Sequence, residues 1–205
     1  MAKKLKNIAV LISGNGTNLQ SIIDQIKKGK LKCNLAVVIS NKADAYGLVR
    51  AKKAKIPAYF IDSKDIPREE HEKRVIEVFK KYNIDLVILA GYMRIITSYL
   101  IEQYKNRIIN IHPAILPAFP GTDGYGDTFN YGCKVGGCTV HFVDSGVDTG
   151  PIIIQKINPI KENETLESFK KRGLKIEHLA LPEAIGLFCT DKLKIEGRRV
   201  KILRG

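Results

Sequence analysis

Asn110-Ile111-His112-Pro113 places a carboxamide and an imidazole two residues apart. On a strand, residues i and i+2 face the same way, so Asn110 and His112 project together. Pro113 biases His112 toward extended backbone. Both side chains can donate to an oxyanion, and the imidazole can move a proton near neutral pH. The plainer reading of a histidine at a strand end is a satisfied structural group, and Asn110 at i−2 weighs against it. Downstream, His141 to Pro151 reads HFVDSGVDTGP, with Asp144 and Asp148 beside glycines. Such acids either form turns, or one carboxylate reaches His112, fixes its tautomer and raises its pKa. His141, inside a β-prone run, reads as core.

Ser13-Gly14-Asn15-Gly16-Thr17-Asn18 follows a strand-like run and precedes a helix-like one. Such a turn aims backbone N–H groups at an anion, and the helix dipole helps. It is a poor dinucleotide loop. Leu19 stands at the third glycine of G-x-G-x-x-G, and Ser40 and Asn41 stand where a ribose-binding acid belongs. A phosphate monoester fits better than NAD. The structural alternative is a tight turn with Thr17 or Asn18 as helix cap. Cys133 and Cys138 have four residues between them and His141 follows, a spacing too loose for a metal pair and lacking a fourth ligand, so no metal is expected.

The positioning elements follow from periodicity. Asn7 to Ser13, Leu35 to Ser40 and Ile84 to Ala90 are continuous β-prone runs that suit strands buried on both faces. Between them, Asn18 to Lys28, Asp44 to Lys55 and Pro67 to Tyr82 have helical spacing, and Pro57 to Asp62 reads as a short strand. Alternation of this kind means right-handed crossovers and a parallel sheet. Ile95 to Tyr104 reads as helix and Arg107 to Ile111 as strand. His112 to Gly137 is rich in proline and glycine, which excludes long regular elements. Cys138 to Asp144 and Pro151 to Ile157 read as strands. Thr165 to Phe188 reads as a long helix that Pro182 kinks or splits, and Ile195 to Leu203 as a terminal hairpin or strand.

The chain has 205 residues, 44% apolar and 27% charged, which suffices for a core and excludes wholesale disorder. No apolar run approaches the roughly 20 residues of a membrane span. Met1 to Lys6 resembles the start of a signal peptide, but the apolar run Ile8 to Ile12 is too short for its core, so a cytoplasmic protein is expected. Four cysteines do not make a disulfide framework. The net charge of +13 invites nucleic acid, yet residues 106–160 hold three Lys/Arg against four acids. The excess lies mostly outside that stretch, with seven Lys/Arg against one acid in residues 1–35 and six against two in 191–205, and reads as a solvated surface with a mild field for phosphates and polyglutamates.

SGNGTNLQ at the start, LAGYMRI at 89–95, NIHPAILPAFPG at 110–121 and CTVHFVDSGVDTGPII at 138–154 together resemble the phosphoribosylglycinamide formyltransferases, within the folate-dependent formyltransferase family. The resemblance runs through nearly the whole chain. It implies the formyltransferase fold: α/β, a mostly parallel twisted sheet flanked by helices, with a Rossmann-like N-terminal half. A single domain is expected over 1–205, with a phosphate-binding half (1–100) and a catalytic, folate-closing half (101–205). The implied reaction moves a formyl group from 10-formyltetrahydrofolate, a co-substrate, to the amine of glycinamide ribonucleotide. Asn110 and His112 would stabilise the oxyanion, His112 would donate a proton, and Asp148 would hold His112 in its protonated form. Gly16, Thr17 and Asn18 would take the substrate phosphate, and Glu177 the glycinamide or ribose end. Arg68, Met93, Arg94, Ile95, Ile96, Asn110, Val143 and Asp144 would line the folate, with the 143–148 loop closing over the pterin.

Thr122 to Asp127 departs from the family pattern, in which many members have a histidine-containing helix start. Partners are expected to be small molecules, without nucleic acid or membrane, the chain being a monomer or homodimer. The rivals are a sibling formyltransferase or hydrolase on the same scaffold, and a non-catalytic phosphate- or nucleic-acid-binding module. A transfer-RNA-directed sibling would need a further C-terminal domain and a hydrolase an N-terminal one, and 205 residues leave room for neither.

Overall fold

Apolar residues on consecutive positions need cover on both faces, and Asn7–Ile12 (β1) has it, with Ile8 to Ile12 fully buried. In the computed structural model, which describes residues 4–203, β1 is the middle of a parallel arrangement. Its neighbours are β2 (Asn34–Ser40) on one side and β4 (Leu86–Leu89) on the other, and β3 (Ala58–Phe60) adds outside β2. The crossovers are α1 (Thr17–Lys27), α2 (Tyr46–Lys53) and α3 (Arg68–Lys81). Leu19, Ile22 and Ile23 make the buried stripe of α1, and Val75, Ile76 and Phe79 that of α3. A short α4 (Ser98–Gln103) packs on α3. Residues 95–97, expected to be helical, instead belong to an irregular segment. Thr97 caps α4 by accepting from the Tyr99 N–H, so the helix cannot start earlier.

The chain divides into two compact units, the first ending at Ile109 and the second beginning at Asn110. The boundary falls inside β5 (Ile108–His112). In the second unit, α5 (Gly124–Asn130) is followed by the antiparallel pair β6 (Val135–Phe142) and β7 (Ile152–Pro159). Helix α6 (Leu166–Cys189) packs on both strands and on α5. The terminal hairpin β8 (Leu193–Glu196) and β9 (Arg199–Ile202) meets β7 in parallel at Ile152. The mixed sheet and flanking helices are those of the expected α/β fold.

One departure has a physical cause. Pro182 does not split α6, which runs unbroken for 24 residues, about 36 Å at helical rise. Proline removes one backbone bond, but Ala180, Leu181, Ala184 and Ile185 around it are fully buried, and that packing holds the helix through the gap. The proline- and glycine-rich stretch, expected to exclude long regular elements, holds a helix of only seven residues, α5. Asp123 caps α5 by accepting from the Gly126 N–H, and Tyr125 anchors it at 5% exposure. Among the described residues, no helix is long and apolar enough to cross a membrane. Met1 to Lys3 of the signal-like start lie outside the described residues.

Candidate active site

β5, the end of β6 and the loop after β6 bring three side chains of the second unit around one carboxylate. Asp148 Oδ2 lies 3.3 Å from His112 Nδ1 and accepts from the Gly121 N–H at 2.9 Å. Asp148 Oδ1 accepts from Asn110 Nδ2 at 3.2 Å and lies 3.5 Å from His141 Nε2. Asn110 Nδ2 is also 3.3 Å from His141 Nε2. Asp148 sits in left-handed backbone, φ 54°, a conformation uncommon outside glycine and more often taken by Asp and Asn. Asn110, His112 and Asp148, singled out from the sequence, are thus together.

His141 was expected to be core. It is buried, at 2% exposure, but it also belongs to this cluster. Its Nδ1 faces the Phe142 carbonyl at 2.8 Å and donates there, while Nε2 faces both Asn110 Nδ2 at 3.3 Å and the Asp148 carboxylate at 3.5 Å. The only local signal was a histidine seven residues before Asp148 across a glycine turn.

The expected upward shift of His112 is not what the site produces. Burial comes first and pushes its pKa below the ordinary histidine value. The Asp148 charge and the Phe119 carbonyl raise it, and His141 lowers it again, so the net shift is downward. His112 is 2% exposed, with Nε2 2.7 Å from the Phe119 carbonyl oxygen. Both ring nitrogens face acceptors, which the imidazolium satisfies and the neutral ring satisfies only on one side. For Asp148, burial pulls the pKa up. Hydrogen bonds from His141 and Gly121 and the charges of His112 and His141 outweigh it, leaving the carboxyl below its usual range.

Glu177 lies on α6 at 5% exposure, with the Tyr125 hydroxyl and the Cys138 thiol facing it. Burial pushes the Cys138 thiol up to about 12, with the Glu177 charge adding to it, and raises Tyr125 strongly. Both stay protonated beside the carboxylate. Gly173, one turn before Glu177, makes room for the Tyr125 ring: a Cβ there would lie 2.3 Å from Cζ. In the loop after β6, Asp144 accepts from the Gly146 N–H and the Thr149 hydroxyl, so its carboxylate ties its own loop together. Val143 beside it is half-buried.

In the first unit, the Ser13–Asn18 loop opens α1. Thr17 is already helical and the capping position is Gly16, in left-handed backbone, with no side chain capping the first turn. The cap reading of Thr17 and Asn18 is therefore overturned. Arg68 begins α3 and is exposed. Met93 and Ile95 are 59% and 55% exposed, on the segment that follows β4, whereas Arg94 and Ile96 are half-buried. Arg94 donates to the carbonyls of Ser63 and Ile66, each at 2.9 Å. Among the described residues, no three His, Cys, Asp or Glu side chains are grouped to hold a metal ion.

Residues 6–185 match the family described as formyl transferase. The phosphoribosylglycinamide formyltransferase of Bacillus subtilis is 41% identical over 182 residues, covering 88% of this chain and 93% of the relative. The trifunctional purine biosynthetic protein adenosine-3 of Chironomus tentans is 41% identical over 196 residues, which is 94% of this chain but only 14% of that protein's length. The crystal structure of glycinamide ribonucleotide transformylase 1 from Symbiobacterium toebii superposes with a TM-score of 0.95 at 48% identity, over 98% of this chain and 95% of that one.

Proposed function

The chain belongs to the formyl transferase family, and we propose that Asn110, His112 and Asp148 carry out its chemistry. It transfers a formyl group from 10-formyltetrahydrofolate to the amine of glycinamide ribonucleotide, in purine biosynthesis. The observation that carries the assignment of roles is the convergence of Asn110, His112 and His141 on the Asp148 carboxylate.

The amine attacks the formyl carbon, and the carbonyl oxygen becomes an oxyanion. Asn110, half-buried in the middle of β5, donates to that oxygen from Nδ2 once the amide releases one of its present partners, His141 Nε2 or Asp148 Oδ1. His112 supplies the second donor and the proton that the departing folate nitrogen needs, while the attacking amine gives up one proton to solvent water, so no net proton is consumed. For this, the Phe119 carbonyl must give up His112 Nε2, since Nδ1 is turned to Asp148. Asp148 fixes the ring and stabilises the imidazolium against burial. A buried ring with a lowered pKa releases its proton readily, which suits a donor.

Gly16, Thr17 and Asn18 bind the substrate phosphate with the amides of the uncapped first turn of α1. Glu177 accepts from the glycinamide or ribose end. Met93, Ile95 and Ile96 offer apolar surface to the pterin, and Arg68, Arg94, Val143 and Asp144 contribute to folate binding. The protein acts on these small molecules in the cytoplasm.

The test mixes purified protein with 10-formyltetrahydrofolate, with and without glycinamide ribonucleotide. Deformylation that depends on the ribonucleotide supports this reading. Deformylation without it makes the protein a hydrolase, and none at all, with salt-sensitive RNA binding, makes it a binding module.

A further inference from the structure

His71 and Glu72 are buried at 0% and 3% exposure on α3, away from the catalytic cluster, and the mechanism uses neither. Charged and polar side chains are seldom buried this fully unless hydrogen bonds hold them there. Both are bonded to the same piece of chain, the irregular segment 91–97 after β4. His71 Nε2 lies 2.7 Å from the Tyr92 hydroxyl, and Nδ1 lies 3.1 Å from the Asp62 carbonyl. Glu72 accepts from the Thr97 N–H at 2.7 Å with one oxygen and from the Thr97 hydroxyl with the other.

Two more ties hold the segment. The Met93 N–H donates to Ser13 Oγ at 2.8 Å, and Ser13 Oγ in turn donates to Asn41 Oδ1 at 2.6 Å. The Arg94 guanidinium reaches the carbonyls of Ser63 and Ile66. The segment has no regular secondary structure, so the hydrogen bonds at Tyr92, Met93, Arg94 and Thr97 fix its path, that of Met93 from its backbone N–H. The result is a strap that leaves Met93 and Ile95 more than half exposed. Large apolar side chains held in water by a buried polar lattice are costly unless something flat covers them.

We propose that His71 and Glu72 are positioning residues for the folate, clamping the Tyr92–Thr97 strap so that Met93 and Ile95 are preset to receive the pterin. This deepens the proposed function and rests on it. The reason is one of preorganisation. A strap already fixed loses little conformational freedom on binding, whereas a loosened one must be ordered by the ligand. The neutral His71 ring with its proton on Nδ1 accepts from Tyr92, which fixes one arrangement of the pair. Burial also lowers the His71 pKa, and this favours the neutral ring.

The experiment uses Tyr92→Phe, which removes only the hydroxyl, and Glu72→Ala with Glu72→Gln as the conservative variant. Tetrahydrofolate binding is measured by calorimetry, and KM is measured for both substrates. We expect Tyr92→Phe and Glu72→Ala to weaken tetrahydrofolate binding about 5- to 10-fold, the size of one lost buried hydrogen bond, with Glu72→Gln recovering part of the loss. The folate KM should rise in parallel and the ribonucleotide KM should hold. Unchanged folate binding would overturn the proposal. So would an equal loss for both substrates with a falling melting temperature, the mark of a merely structural role. Calorimetry needs no turnover, so a wild-type protein that binds tetrahydrofolate but transfers no formyl group would fail the reaction assignment and leave the clamp testable.

Discussion

His112 Nδ1 stands 3.3 Å from Asp148 Oδ2 while the opposite nitrogen, Nε2, faces the Phe119 carbonyl at 2.7 Å. The carboxylate therefore determines which nitrogen is left for chemistry. Asp148→Asn keeps the shape and loses the charge, and His112→Ala removes the donor. Each should lower kcat by roughly 10²-fold or more, from the size of general-acid and oxyanion contributions, with folding preserved. Steady-state rates near wild type in both variants would reject these roles.

The lowered pKa values of His112 and Asp148 have a sign that can be checked. Burial makes folded His112 release its proton below the ordinary value of 6.5, so the unfolded chain binds that proton first as pH falls. The stability contributed by the neutral ring is complete above about pH 6.5 and is lost as pH drops through the lowered folded value. Asp148 adds a second loss at lower pH, beneath its ordinary 3.8. Melting temperatures from about pH 7 down to about pH 5 should fall more steeply for the wild type than for His112→Gln. Parallel curves would contradict the downward shift.

His141→Ala leaves Asn110 with one partner fewer and takes a hydrogen bond from Asp148. We expect kcat to fall about 10-fold, since one hydrogen bond to a charged group is at stake. The acid limb of the pH–rate profile should move upward as Asp148 loses a stabilising partner. An unchanged limb would make His141 a spectator.

Replacing Thr17 and Asn18 together should raise the ribonucleotide KM and leave that of the folate. The reverse pattern would mean that the two substrate assignments are exchanged.

Gly173→Ala drives a methyl into the Tyr125 ring and should cost about 1–3 kcal/mol, as overpacking does. Urea denaturation reads the loss. Tyr125→Leu in the same chain should recover part of it, and failure to do so would place the strain elsewhere.

The legible parts of this protein are those with local causes. β1, β2 and β4 announce themselves as uninterrupted apolar runs, and α1 and α3 by their stripes. Asn110 and His112 were visible because strand geometry aligns neighbours two apart. His141 was not, since an imidazole among β-branched residues looks the same whether it faces core or carboxylate. The clamp at His71 and Glu72 was equally hidden, because their partners lie 21 and 25 positions away. The direction of the His112 shift depended on how deeply the ring is buried, which no spacing encodes.

Gly16 and Gly47 meet backbone to backbone at the mouth of the first helix. A methyl on Gly16 would lie 2.8 Å from the Gly47 Cα, and one on Gly47 would lie 2.2 Å from Ile12 Cδ1. The two are not equivalent: a methyl on Gly16 would press on backbone from a left-handed conformation, whereas one on Gly47 would press on the tip of a side chain that can turn aside, so variation in this corner has to begin at Gly47.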